Sequence, residues 1–247
     1  MTKNKIYDLL IIILIYIGLS CIPFNLLYIS PIFVTFFQIL SQIITFLLIL
    51  FILRKSPLKV SIKKTNSKNV ILFIPLVIVC FSNFFCLLMP ESKLILSFNF
   101  QLLLDIFLSV AIAWNEEYIF RLILIDNLDS GNDSFKNILI SSAIFALCHI
   151  THFLSSFNPV ALIDVIYTFG IGIVLGFIYI YSDSLIFAFI FHAIFNIINN
   201  NLSLAWIQYG DNLFLYYLIN VIVALVAAVY LLIVYMIKLK KSEKVST

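Results

Sequence analysis

Apolar segments of about twenty residues follow one another along most of the chain, which limits what it can fold into. Bilayer hydrocarbon satisfies no backbone hydrogen bonds, so a crossing segment must be a helix or part of a closed barrel. The apolar runs have helix length, and alternating ten-residue strands are not seen. The predicted fold is all-α, a polytopic transmembrane helical bundle of about eight spans, at residues 6–28, 32–53, 70–89, 100–126, 137–157, 160–181, 184–206 and 213–237.

The basic residues are distributed unevenly between the predicted loops. An even number of spans puts both termini on one side, and thirteen of the 15 basic residues fall on that side: Lys3, Lys5, Arg54, Lys55, Lys59, Lys63, Lys64, Lys68, Lys136, Lys238, Lys240, Lys241 and Lys244. Since basic loops stay in the cytoplasm, both termini of this multi-pass cell-membrane protein are predicted to be cytoplasmic. The net charge of +3 follows from this topology and gives no argument for nucleic acid as a partner.

Three parts of the chain are distinguished by their content. Residues 1–99 hold the N-terminal spans and a basic cytoplasmic loop, residues 100–206 hold polar groups within spans, and residues 207–247 hold the last span and a basic tail. The four cysteines lie in predicted spans without CxxC spacing, which indicates neither a disulfide nor a zinc finger. The middle part is therefore the predicted core for any chemistry.

Several ionisable and polar residues fall inside these spans, where a charge costs about 2.5–3.5 kcal/mol on insertion scales. At the helical rise, Glu116 and His149 lie about 15 and 18 Å from the cytoplasmic ends of their spans. His192 and Asn196 lie about 12 and 18 Å from the cytoplasmic end of theirs. Four polar groups from three spans therefore share one level. We expect them to converge in a water-accessible cavity open toward the cytoplasmic half.

Helical period indicates which of these residues face one another. Glu117 and Arg121 are four apart on one face, which favours a buried salt bridge. Glu116 points about 100° away and lacks that partner, so it is the candidate general base. Phe145 shares a face with His149 in the same way.

Three further residues need a separate interpretation. His152 lies one turn beyond His149 and can donate a hydrogen bond to a site residue, act as a ligand or serve as a packing residue. Asp105 and Asp164 fall near the outer ends of their spans, where water reaches them, and are expected to be structural. A single buried histidine or Glu/Arg pair often only joins helices. The coincidence of several such groups at one depth instead favours a functional site.

Three short motifs carry a family resemblance. The segments Glu116-Glu117-Tyr-Ile-Phe-Arg121, Phe145-Ala-Leu-Cys-His149 and His192-Ala-Ile-Phe-Asn196 resemble the EExxxR, FxxxH and HxxxN motifs of the CPBP (Abi) intramembrane proteases. That family includes CAAX prenyl endopeptidases and bacteriocin-associated bacterial proteins. The resemblance covers about residues 105–201.

The resemblance implies a role for each matching residue. Glu116 and His149 correspond to the pair that activates water, and His192 and Asn196 to the residues that stabilise the oxyanion. Glu117, Arg121 and Phe145 take the supporting positions. The cofactor is left open: Glu116, His149 and His192 can be three zinc ligands, and a metal-free activated water is equally consistent with the spacing.

The leading hypothesis is thus an intramembrane endopeptidase, metal- or glutamate-dependent, that cleaves a membrane-associated peptide or protein precursor. The alternative within the family is a bacteriocin immunity or regulatory membrane protein, with or without proteolysis. A transporter or proton relay would use similar groups. Such a protein more often shows repeated halves with broken helices, which this sequence lacks.

Overall fold

A computed structural model describes residues 3–24, 29–61, 67–88, 92–128, 134–150, 160–208 and 213–246. His152 lies outside the described residues. The chain is mostly helical, as predicted. Its helices are α1 (Lys3–Ser20), α2 (Pro31–Leu53), a 3-10 helix (Ser67–Leu88), α3 (Phe100–Glu117), a first π segment (Tyr118–Ile125), α4 (Ser134–Cys148), α5 (Val160–Ser182), α6 (Leu185–Phe195), a second π segment (Asn196–Leu202), α7 (Ser203–Trp206) and α8 (Leu213–Ser246).

Four stretches in the described part of the chain are long and apolar enough to cross a membrane: Pro31–Leu53, Ile163–Ser182, Leu185–Leu202 and Leu218–Ile237. Two shorter apolar helices cover Leu72–Leu88 and Ser134–Cys148. Helix α3 carries Asp105, Glu116 and Glu117, and such charges lower its apolarity. The structure therefore supports a helical membrane protein, and the count of eight spans stays a prediction.

One short pairing was not foreseen from the sequence. Strands β1 (Lys93–Leu94) and β2 (Ile207–Gln208) form a two-stranded antiparallel sheet, with Lys93 opposite Gln208 and Leu94 opposite Ile207. Two-residue strands carry too little alternation to be recognised in a sequence. The pairing ties the segment before α3 to the end of α7.

Small residues on α5 allow close packing against two neighbouring helices. A Cβ atom added at Gly172 would lie 3.0 Å from the Cβ of Ser142 on α4, and one at Gly176 would lie 2.8 Å from Cγ2 of Ile138. On another side of α5, a Cβ at Gly170 would lie 3.1 Å from the Cβ of Ala224 on α8. Gly172 and Gly176 therefore permit close packing against α4, and Gly170 permits it against α8.

A buried amide network joins three elements behind the second π segment. Asn83 of the 3-10 helix donates through Nδ2 to the backbone carbonyl of Asn199 and, through its backbone N–H, to the Asn199 side chain at 2.7 Å. Ser82 donates to Asn199 and to Asn220 of α8, at 2.9 and 2.6 Å. Because lipid offers no alternative partners, such bonds fix the second π segment relative to its neighbours.

Candidate active site

The two glutamates of the first motif are the last residues of α3, and both are buried. The helix then widens into the first π segment, while the second π segment begins at Asn196. Inserted π turns are rare in proteins and occur often at functional sites. Here the first π segment begins directly after Glu117, and the second begins at Asn196.

Glu117 forms the salt bridge that the spacing predicts. Nε of Arg121 lies 3.2 Å from Oε2 of Glu117, and both side chains are fully buried. The guanidinium also donates through Nη1 to Ser141 on α4 at 3.1 Å, and it lies 5.1 Å from the centroid of the Phe145 ring. The buried pair therefore joins α3 and its π segment to α4.

Glu116 faces both histidines. Nε2 of His149 lies 3.9 Å from Oε1 of Glu116, and Nε2 of His192 lies 3.5 Å from Oε2. The two carboxylate oxygens thus each face a different imidazole, one just after α4 and one on α6. All three side chains lie close enough to contact one water or one scissile carbonyl.

Hydrogen bonds at the other ring nitrogens fix how the imidazoles are presented. Nδ1 of His149 lies 3.0 Å from the backbone carbonyl of Phe145. A carbonyl only accepts, so this nitrogen carries the proton and, in the neutral ring, leaves Nε2 as a proton acceptor beside Glu116. Nδ1 of His192 lies 2.9 Å from Oε1 of Glu117 and donates to that carboxylate. The sequence predicted only Arg121 as a partner of Glu117.

Asn196 lies at the start of the second π segment, one turn after His192. Nδ2 of Asn200 donates to its Oδ1 at 3.4 Å. That contact leaves the Nδ2 hydrogens of Asn196 as donors at the cavity wall. The structure therefore brings the four predicted groups together: Glu116, His149, His192 and Asn196.

The four groups line a cavity of about 440 Å³. Its further lining includes Ser109 on α3, Asn200 on the second π segment and Asn220 on α8. Ser109 precedes Glu116, Asn200 follows His192, and Asn220 lies near the start of α8. With both termini cytoplasmic, these lining positions fall on the non-cytoplasmic side of Glu116.

The prediction that the cavity opens toward the cytoplasmic half therefore does not agree with the predicted topology. The depth of each residue along its span predicted that the four groups lie at one level. It did not predict whether the cavity or packed side chains lie on the cytoplasmic side of that level. Packing fills the other side, where the apolar residues of the first π segment contact α1 in a core cluster that includes Leu9, Ile12, Ile119, Phe120 and Ile123.

Residues 98–198 match the family model of the type II CAAX prenyl endopeptidase Rce1-like proteins. The match supports the CPBP family of CAAX-type membrane proteases for this segment, which is called the CPBP segment below. The CPBP segment contains all three motifs that suggested the resemblance. No curated protein and no solved structure matches the chain.

One contact to the site comes from outside the CPBP segment. The hydroxyl of Tyr16 on α1 donates to Oε1 of Glu116. Tyr16 and Glu116 are 100 residues apart, and a tyrosine in an apolar span carries no motif that would single it out. Sequence reasoning therefore missed this residue.

The two isolated aspartates differ from each other. Asp105 accepts hydrogen bonds from Thr35 at 3.1 Å and from Gln101 at 2.7 Å, which agrees with a structural role that joins α2 and α3. Asp164 on α5 instead lines the cavity beside His149, although the sequence placed it with the structural residues. Asp164 lies on the cavity wall because of how α5 is rotated about its own axis. The depth of a residue along its span does not predict that rotation.

The three donors predicted as zinc ligands do not form a metal site as they are placed. Across the described ranges, no group of three or more histidine, cysteine, aspartate or glutamate side chains has the arrangement that holds a metal ion. Oε1 of Glu116 already accepts a hydrogen bond from Tyr16, so an ion would share that oxygen with the phenol.

Proposed function

We propose that this CPBP-family protein is an intramembrane endopeptidase that cleaves a membrane-associated peptide or protein precursor. The observation that carries the proposal is the Glu116 carboxylate at 3.5 and 3.9 Å from two imidazole Nε2 atoms, at the wall of one cavity. A carboxylate and imidazoles in this arrangement can move the protons that peptide hydrolysis requires. The family match supports protease chemistry.

In the proposed reaction, Glu116 accepts one proton from a water molecule as the water oxygen attacks the scissile carbonyl, and Nε2 of His149 accepts a hydrogen bond from the same water. The carbonyl oxygen becomes an oxyanion, to which Asn196 and a doubly protonated His192 donate hydrogen bonds. The protonated base then returns its proton to the leaving amine as the C–N bond breaks. Glu117 and Arg121 take no part in proton transfer, and Glu117 orients His192 through Nδ1.

The size and lining of the cavity support a short extended segment as the substrate. A volume of about 440 Å³ lies in the range of small-ligand pockets and is too small for a folded domain. Polar side chains such as Asn200 alternate on its wall with apolar ones such as Ile112 and Phe195. The polar groups suit a peptide backbone, and the apolar ones suit its side chains.

The membrane orientation is part of the proposal. The basic loops favour cytoplasmic termini, and residues 100–206 between the flanking spans form the catalytic core. In that orientation the substrate enters the cavity from the non-cytoplasmic half of the bilayer.

The test is cleavage of candidate membrane-associated peptides by purified, detergent-solubilised protein. Glu116→Gln keeps the shape of the side chain but removes the proton acceptor, so turnover should fall about a hundredfold or more. His149→Ala should have a similar effect. Asp105→Asn is the matched control, because it makes the same kind of change on the same helix outside the cavity lining.

Full activity of both Glu116→Gln and His149→Ala at normal abundance would refute catalysis at this site. A bacteriocin immunity or regulatory role without proteolysis would then replace it. A chelator in the same assay addresses the cofactor: retained turnover supports the metal-free step, and lost turnover would assign zinc to Glu116, His149 and His192.

A further inference from the structure

We propose that Tyr16 is a positioning residue for the Glu116 carboxylate, so that α1 completes the active site from outside the CPBP segment. The inference rests on the proposed function and adds a residue to its machinery. Tyr16 does not line the cavity, so it has no contact with substrate and acts through Glu116 alone.

The first observation is the contact itself. The Tyr16 hydroxyl donates to Oε1 of Glu116, the same oxygen that lies 3.9 Å from Nε2 of His149. Holding this oxygen fixes the rotation of the carboxylate and turns Oε2 toward His192, at 3.5 Å. Among the described residues, no lysine or arginine contacts Glu116. The phenol therefore donates the hydrogen bond that anchors this buried carboxylate, which otherwise faces the two imidazoles.

The second observation is that Tyr16 is held by α1 in a defined place. Leu9, Ile12 and Tyr16 are spaced by three and four residues, form one buried stripe, and belong to a single apolar cluster with the first π segment. The Tyr16 ring packs edge-on against Phe120, with centroids 5.9 Å apart. A rigid phenol orients its hydrogen-bond partner more sharply than a mobile one does.

The third observation concerns the flexibility of glutamate. Three side-chain torsions separate the Glu116 backbone from its carboxylate, and small changes of catalytic geometry can lower turnover strongly. Glu117 is held by Arg121 and by His192. Glu116 forms no ion pair with Arg121, and the hydrogen bond from Tyr16 limits the torsions of its carboxylate.

The decisive variant is Tyr16→Phe, which removes one oxygen and keeps the ring that packs on Phe120. Its kcat should fall about tenfold, the effect of losing one hydrogen bond to a charged group. KM should stay within about twofold, because substrate binding does not involve Tyr16. Tyr7→Phe is the matched control, since Tyr7 lies on the same helix with 61% of its surface exposed. It should leave both constants unchanged.

Two further measurements separate positioning from structural support. In the Glu116→Gln background, Tyr16→Phe should cause no additional loss of residual turnover, because both changes act on one group. Infrared spectroscopy supplies a readout that does not depend on activity. The Glu116 carboxylate stretch, assigned as the difference between parent and Glu116→Gln, should shift in Tyr16→Phe and not in Tyr7→Phe.

The outcomes are distinguishable. An unshifted carboxylate band, an unchanged kcat in an active enzyme, or a full additional loss on top of Glu116→Gln would each overturn the role of Tyr16. If Glu116→Gln cleaves as fast as the parent, the proposed function fails instead. The infrared band then still decides whether Tyr16 holds the carboxylate.

Discussion

Replacing Glu117 with glutamine is expected to destabilise the protein much more than the same replacement at Glu116. The two positions are adjacent, and the chemical change is identical. Glu117 is fully buried and lies 3.2 Å from the guanidinium of Arg121, which is also fully buried. Glu117→Gln removes the only full negative charge in contact with that cation among the described residues.

The magnitude follows from what Arg121 retains. Nη1 keeps its bond to Ser141, while Nη2 has no hydrogen-bond partner among the described groups. A buried ion pair that loses one partner costs about 3–5 kcal/mol. Since domains are stable by about 5–15 kcal/mol, this loss removes from about a fifth to all of the stability. At Glu116, glutamine still accepts from Tyr16, so we expect a loss of about 1.5 kcal/mol or less.

The assay is thermal or denaturant unfolding of purified protein in one detergent, with membrane abundance measured in parallel. A double variant, Glu117→Gln with Arg121→Met, removes both charges and should recover most of the lost stability, because a buried pair replaced by apolar groups is often neutral. Equal stability of Glu117→Gln and Glu116→Gln would refute the reasoning. So would a double variant that is no more stable than Glu117→Gln alone.

Three further predictions concern packing, specificity and topology. Gly176→Ala should lower the unfolding free energy by about 1 kcal/mol or more, because its Cβ would lie 2.8 Å from buried Ile138; Gly18→Ala, with nothing within 4 Å, should raise it by about 0.5–1 kcal/mol. Asp164→Asn should lower kcat/KM for peptides with a basic side chain near the scissile bond more than for neutral ones, since Asp164 is an acidic group of the cavity wall. Reporter fusions should place both termini in the cytoplasm, and an external C-terminus would contradict the topology.

Much of the site could be predicted from local spacing. The Glu117–Arg121 bridge follows from a separation of four residues, and the approach of His149 to Glu116 follows from comparable depths in two spans. Both depend only on helical rise and period, which apolar spans in lipid obey closely. The catalytic roles themselves stay predictions.

What the sequence could not predict depends on how helices rotate and pack. Three such features join elements that are far apart in the chain. They are the bond from His192 to Glu117, the contact of Tyr16 with Glu116 and the position of Asp164 on the cavity wall. Depth along a span fixes one coordinate of a residue. Its position in the other two directions depends on how the helices pack, as Gly172 packs against Ser142. The sequence does not specify which residues of two helices pack together.

The arrangement explains how two adjacent glutamates can have different roles. Consecutive helical residues point about 100° apart, so they meet different neighbours. Glu117 faces a permanent cation and is held as a charged support that orients His192. Glu116 faces a neutral phenol and two imidazoles, whose charge depends on protonation. A base must exchange its proton during turnover, and a carboxylate fixed to arginine does so poorly. The pairing of one glutamate with Arg121 therefore leaves the other as the proton acceptor, and Tyr16 orients that acceptor without adding a charge.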